Sequence, residues 1–147
     1  LTMFPNARRI CWVRDPAERL WSLTKHILRN KQPIAHYNTI MKYTENKDIS
    51  TIKAFELILS KPEFSTVRSD YQRYFSAVKP HQFDFVGSVH RYDDELMRLE
   101  STLGIKLEGV RVNTSPDSES LANSNPTIFA KAKSILKEEY ALIEQYI

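Results

Sequence analysis

A single cysteine, Cys11, occurs in 147 residues, which excludes an internal disulfide and any multi-cysteine metal site. Its place in an apolar run points to a buried thiol. Glycine is nearly as scarce. Gly87, Gly104 and Gly109 stand apart, and no glycine-rich phosphate loop can be assembled from them. No apolar run approaches the roughly 20 residues that cross a bilayer, and no signal-like segment opens the chain. Dense Lys/Arg blocks are lacking too. The net charge is +3 and the pI about 9.0, a bias that helps to hold a small anion without implying nucleic acid. There is no internal repeat and no low-complexity tract.

What remains is a composition that folds. Apolar residues make up 41% and charged residues 27%, and the length suits one domain over residues 1–147. Arg9 to Val13 is a short β-prone run stopped by Asp15 and Pro16. Asp15 is the expected N-cap of a helix with proline in its first turn, and Glu18 holds the reciprocal position of a capping box. Ala17, Leu20, Trp21, Thr24, Ile27 and Leu28 then recur at helical spacing as one buried stripe. Glu18, Ser22, His26 and Arg29 fall on the opposite, polar face.

Asn30 to Ile49 is polar and aperiodic, and is expected to be a long loop bearing acceptor contacts. Ser50 can cap a helix with Ile52, Phe55, Ile58 and Leu59, ended by Pro62. Tyr71, Tyr74, Phe75 and Val78 suggest a further packing helix. Phe83 to Val89 reads as a second strand. Asp93, Asp94 and Glu95 open a helix with Leu96, Leu99 and Leu103 inward and Gly104 as its stop. A last short strand is expected over Leu107 to Val112. Asn125-Pro126 starts one long terminal helix with Ile128, Phe129, Ala132, Ile135, Leu136, Ile143 and Tyr146 in its stripe. Strands alternating with helices imply an α/β fold with a short, mainly parallel sheet.

In such folds ligands lie beyond the carboxyl ends of the strands, where helix N-termini present free N–H groups. Arg14 leaves the first strand there and can grip a phosphate bidentately, and Ser22 offers a hydroxyl from the following helix. A structural reading stands beside this one, in which Arg14 pairs with Glu18 and Ser22 faces water. Among the histidines, His26 is the nearest to the corner, and a solvated surface role suits it. His90 would cap or pair with Asp93 or Asp94, while His36 and His81 fall in expected loops.

RDPAERLWS, Arg14 to Ser22, resembles the 3′-phosphate-binding motif of sulfotransferases that use 3′-phosphoadenosine-5′-phosphosulfate (PAPS). In that family an Arg and a Ser eight residues apart hold the 3′-phosphate. Phe83 to Ile105, FDFVGSVHRYDDELMRLESTLGI, is similar to a segment of the carbohydrate-type and bacterial members, as are VNTS at Val112 to Ser115 and the helix around Tyr140. The resemblance covers most of the chain, and its first motif is the specific one.

It implies a P-loop-like sulfotransferase fold. It also implies an enzyme that moves a sulfuryl group from PAPS to a hydroxyl or amine of a carbohydrate or small molecule, without a metal. Arg14 and Ser22 would bind the cofactor, and Asn113, Thr114 and Ser115 would line its adenosine side, although ordinary turn chemistry explains those three residues equally well. The family's 5′-phosphosulfate loop precedes the Arg14 strand, so the chain is expected to be the C-terminal portion of an incomplete domain, its general base left unassigned. A degenerate, non-catalytic module that binds an anionic glycan or a protein partner is the alternative. A nucleic-acid or membrane partner is not expected. The compartment is open: cytoplasm for a bacterial relative, Golgi lumen for a eukaryotic one.

Overall fold

The computed structural model describes residues 7–45, 47–108 and 119–147. Two strands, β1 (Ile10–Val13) and β2 (Phe85–Ser88), pair in parallel with Ile10 opposite Phe85 and Val13 opposite Ser88. Parallel neighbours need a crossover, and here it is helical: α1 (Pro16–Asn30), α2 (Ile34–Tyr43), α3 (Thr51–Ser60), α4 (Ser65–Arg68) and α5 (Asp70–Tyr74). After β2 come α6 (Tyr92–Leu103), α7 (Leu121–Ser124), α8 (Pro126–Ile135) and α9 (Lys137–Ile143). The described chain is thus mostly helical with a two-stranded parallel sheet, an α/β architecture in the broad sense.

The entry to β2 is fastened by Asp84. Its carboxylate accepts the Arg9 N–H at 2.8 Å and an Arg8 N–H at 3.1 Å, while the Arg9 carbonyl accepts from the Asp84 and Phe85 amides. Those donors hold its carboxyl below the usual range.

Alternation along the strands sends Cys11, Val13 and Val86 to one face, against Tyr71, Phe75 and Ile143. Burial pushes the Cys11 thiol to about 11, so it stays protonated and inert. On the other face Trp12 packs on Phe85 and Tyr92 at ring distances of 5.7 and 4.9 Å. A second, larger core lies among the helices, where Leu20, Trp21 and Ile27 of α1 meet Ile40, Phe55, Ile58, Leu121, Leu136 and Tyr140.

Several sequence expectations change. Within 30–49, α2 occupies Ile34–Tyr43 because Ile40 packs fully buried in the helical core. The expected terminal helix is two helices, interrupted at Leu136 (φ −94°, ψ 18°), and Ile135 is exposed. Ile52 is exposed as well, while α5 stops at Tyr74, short of Val78. Leu107 and Glu108 are not in a strand; Gly109 to Val112 lie outside the described residues. Gly104 does end α6, at φ 69° in the left-handed region that suits glycine.

Candidate functional site

At the carboxyl end of β1 the chain turns through Arg14 and Asp15 into α1. Asp15 is the N-cap as expected: its Oδ1 accepts the Ala17 and Glu18 amides at 2.9 and 3.0 Å. The same oxygen accepts the Tyr140 hydroxyl at 2.7 Å. Burial, then the hydrogen bond to Asp15, pushes the Tyr140 phenol upward, so it remains a donor. The first-turn amides of Ala17 and Glu18 are therefore spoken for. An anion at this corner would have to be held by side chains, which corrects the expectation of free N–H groups.

Glu18 departs further from its expected place. It is not on a solvated face and does not reach back to Asp15. It is 4% exposed, and its carboxylate accepts the Leu121 and Ala122 amides at 3.0 and 2.9 Å, capping α7 from 103 residues away. Its two oxygens are occupied there, and no Arg14–Glu18 ion pair forms. The structural reading of Arg14 thereby loses its partner.

Arg14 is half-buried, and no carboxylate among the described residues pairs with it. Its Nε is buried without a hydrogen-bond partner, an arrangement that proteins seldom leave unanswered. Its backbone, by contrast, is fixed on both sides. The Arg14 N–H donates to the Tyr71 hydroxyl at 2.8 Å, and that hydroxyl donates to the Arg14 carbonyl at 3.0 Å. Desolvation raises the Tyr71 phenol and keeps it protonated.

Ser22 lies on α1 six residues beyond Pro16, about 9 Å along the axis. It is partly exposed, and its hydroxyl makes no hydrogen bond among the described residues. Arg14 and Ser22 thus share one strand–helix unit, both with unused polar atoms. Asn113, Thr114 and Ser115 fall outside the described residues. Ahead of α7, the Glu119 carbonyl accepts from the Trp21 indole at 3.4 Å and from Lys25 at 3.3 Å.

At the adjoining end of β2, the Ser88 hydroxyl is fully buried and also without a partner among the described residues. His90 is exposed in the turn that follows. It is Arg91 that reaches the acidic helix, pairing with Glu95, which Arg98 holds as well. His26 is exposed, with Nδ1 facing the Asn30 amide at 3.0 Å. A cleft of about 680 Å³ opens between β2, α6 and the C-terminal turn, lined by His81, Asp84, Arg91, Asp94 and Arg98, and Arg14 takes no part in it. Among the described residues no His, Cys, Asp and Glu cluster is suited to a metal ion.

The roles of three residues at the corner are not legible in the sequence: Tyr71, expected only as a packing residue, Tyr140, expected only within a family-like helix, and Glu139. Glu139 is 1% exposed and caps α5, its oxygens accepting the Tyr71 and Gln72 amides at 2.8 and 2.9 Å. The one available signal was tyrosine where phenylalanine would pack equally well, since a buried phenol needs a partner. Comparisons with models of known families, with curated proteins and with solved structures gave no match.

Proposed function

We propose that the chain is the 3′-phosphate-binding part of a PAPS-dependent sulfotransferase of P-loop-like fold. One observation carries this reading: Arg14 has a fixed backbone, a buried Nε with no hydrogen-bond partner and no carboxylate pairing with it among the described residues, at the carboxyl end of a parallel strand, with Ser22 eight residues on. The family motif RDPAERLWS supplies the ligand class. Arg14 would take two phosphate oxygens in its planar fork and Ser22 would donate to the same group. Charge-assisted bonds of this kind contribute about 1.5–3 kcal/mol each.

With the donor so anchored, the sulfur–oxygen bond to the 5′-phosphate breaks as a bond forms between sulfur and the acceptor oxygen or nitrogen. The acceptor's proton passes to a general base, and adenosine 3′,5′-bisphosphate leaves. The corner's share of such a reaction is positioning, which holds the donor in line while remote binding energy is applied to the reacting end. Asn113, Thr114 and Ser115 belong in this proposal as the adenosine-side contacts.

The test is thermal denaturation with adenosine 3′,5′-bisphosphate. The full chain should melt at a higher temperature with ligand, and Arg14→Ala should lose that shift while keeping a native circular-dichroism spectrum. No shift at millimolar ligand would overturn the proposal for this chain. Binding of a sulfated glycan with no nucleotide response would instead support the non-catalytic alternative.

A further inference from the structure

The corner that presents Arg14 is held by two tyrosines and one carboxylate from elements distant in sequence. Tyr71, 8% exposed, uses a single hydroxyl as acceptor and donor to the Arg14 N–H and carbonyl. That hydroxyl can sit there only if the start of α5 is fixed, and Glu139 fixes it through the Tyr71 and Gln72 amides. The next residue of α9, Tyr140, donates to Asp15, the neighbour of Arg14. Two consecutive α9 residues thus secure the Arg14–Asp15 step, one through Tyr71 and one directly.

Packing alone would not require this, because phenylalanine fills nearly the same volume at either position. The Tyr71 hydroxyl fixes the Arg14 backbone and the Tyr140 hydroxyl holds the neighbouring Asp15 carboxylate. The charged group of Arg14 itself has no partner among the described residues, and a rigid main chain under such a group is how a binding site limits the entropy lost on docking.

We infer that Tyr71, supported by Tyr140, is a positioning residue that aims the Arg14 guanidinium at the 3′-phosphate. This rests on the function proposed above. Neither tyrosine touches the ligand; each acts through the corner.

Two isomers of equal charge, adenosine 3′,5′-bisphosphate and adenosine 2′,5′-bisphosphate, provide the readout, because general loosening of the fold does not by itself favour one isomer. Titration calorimetry on the full chain, well below its melting temperature, should show tighter binding of the 3′ isomer. In Tyr71→Phe with native circular dichroism, that selectivity should fall at least fivefold, and Tyr140→Phe should fall in the same direction by less. Unchanged selectivity in folded Tyr71→Phe, or equal loss of both isomers, overturns the inference. Should Tyr71→Phe not fold, unchanged selectivity in Tyr140→Phe overturns it. A wild-type chain that binds neither isomer, or both alike, refutes the underlying 3′-phosphate reading, which is a separate failure.

Discussion

Removing the Glu18 carboxylate would leave the Leu121 and Ala122 amides without an acceptor, one of them on a fully buried residue. Stranding buried donors costs about 1–3 kcal/mol apiece. Glu18→Ala should therefore lower unfolding stability by roughly 2–4 kcal/mol in urea titrations, while an exposed glutamate such as Glu144 should tolerate the change within about 0.5 kcal/mol. Glu139 adds a pH dependence of definite sign. Burial lifts its carboxyl above the usual value, against the two amide bonds and the Arg19 charge that pull it down. The native state thus keeps this proton to higher pH than the unfolded chain. Its stability contribution is full below about pH 4.5 and is lost as pH rises through the raised native value. Compared with Glu139→Gln, the wild type should gain more at pH 4 than at pH 7, and the opposite order in urea unfolding would refute the assignment.

In β2, opposite Trp12, Gly87 is required by contact and not by backbone angle. A methyl group there would lie 2.7 Å from the Phe85 ring and 2.7–2.8 Å from the Trp12 ring, inside contact distance. Gly87→Ala should cost about 1–3 kcal/mol through forced repacking of that face, measurable as an earlier urea midpoint. The elements readable from sequence were those with local punctuation. Asp15-Pro16 begins α1, Gly104 ends α6, and β-prone runs mark both strands. The others depend on partners far along the chain. The α2 stretch has no sustained apolar period, and Ile40 is its one fully buried residue, so its helix is credited to packing against the rest of the core. The interruption at Leu136 carries neither proline nor glycine. The placing of Arg14 just after β1 and of Ser22 within α1 was legible, because local signals mark both elements. The clasp by Tyr71 and the diversion of Glu18 to α7 were not, since each spans more than fifty residues.

At the scale of the molecule, one core surrounds one face of the sheet and the other fills the helical layer, and α9 enters both: Tyr140 joins the helical core, Ile143 the sheet core. The Arg14–Asp15 corner sits where Tyr71 and Tyr140 meet it from these two sides, so occupancy there should stabilise the fold as a unit. Ligand at a hundred times its dissociation constant adds about 2.7 kcal/mol, which for a chain of this size raises the melting temperature by roughly 5–10 °C.

The hydrogen bond from the Trp21 indole to the Glu119 carbonyl joins a natural fluorophore of α1 to the residues that lead into α7. Only Trp12, across the corner in β1, competes with its emission. In Trp12→Phe the remaining tryptophan becomes an unlabelled optical gauge. Its spectrum should shift on titration with adenosine 3′,5′-bisphosphate, and stopped-flow recording of that shift would time the seating of the nucleotide in milliseconds.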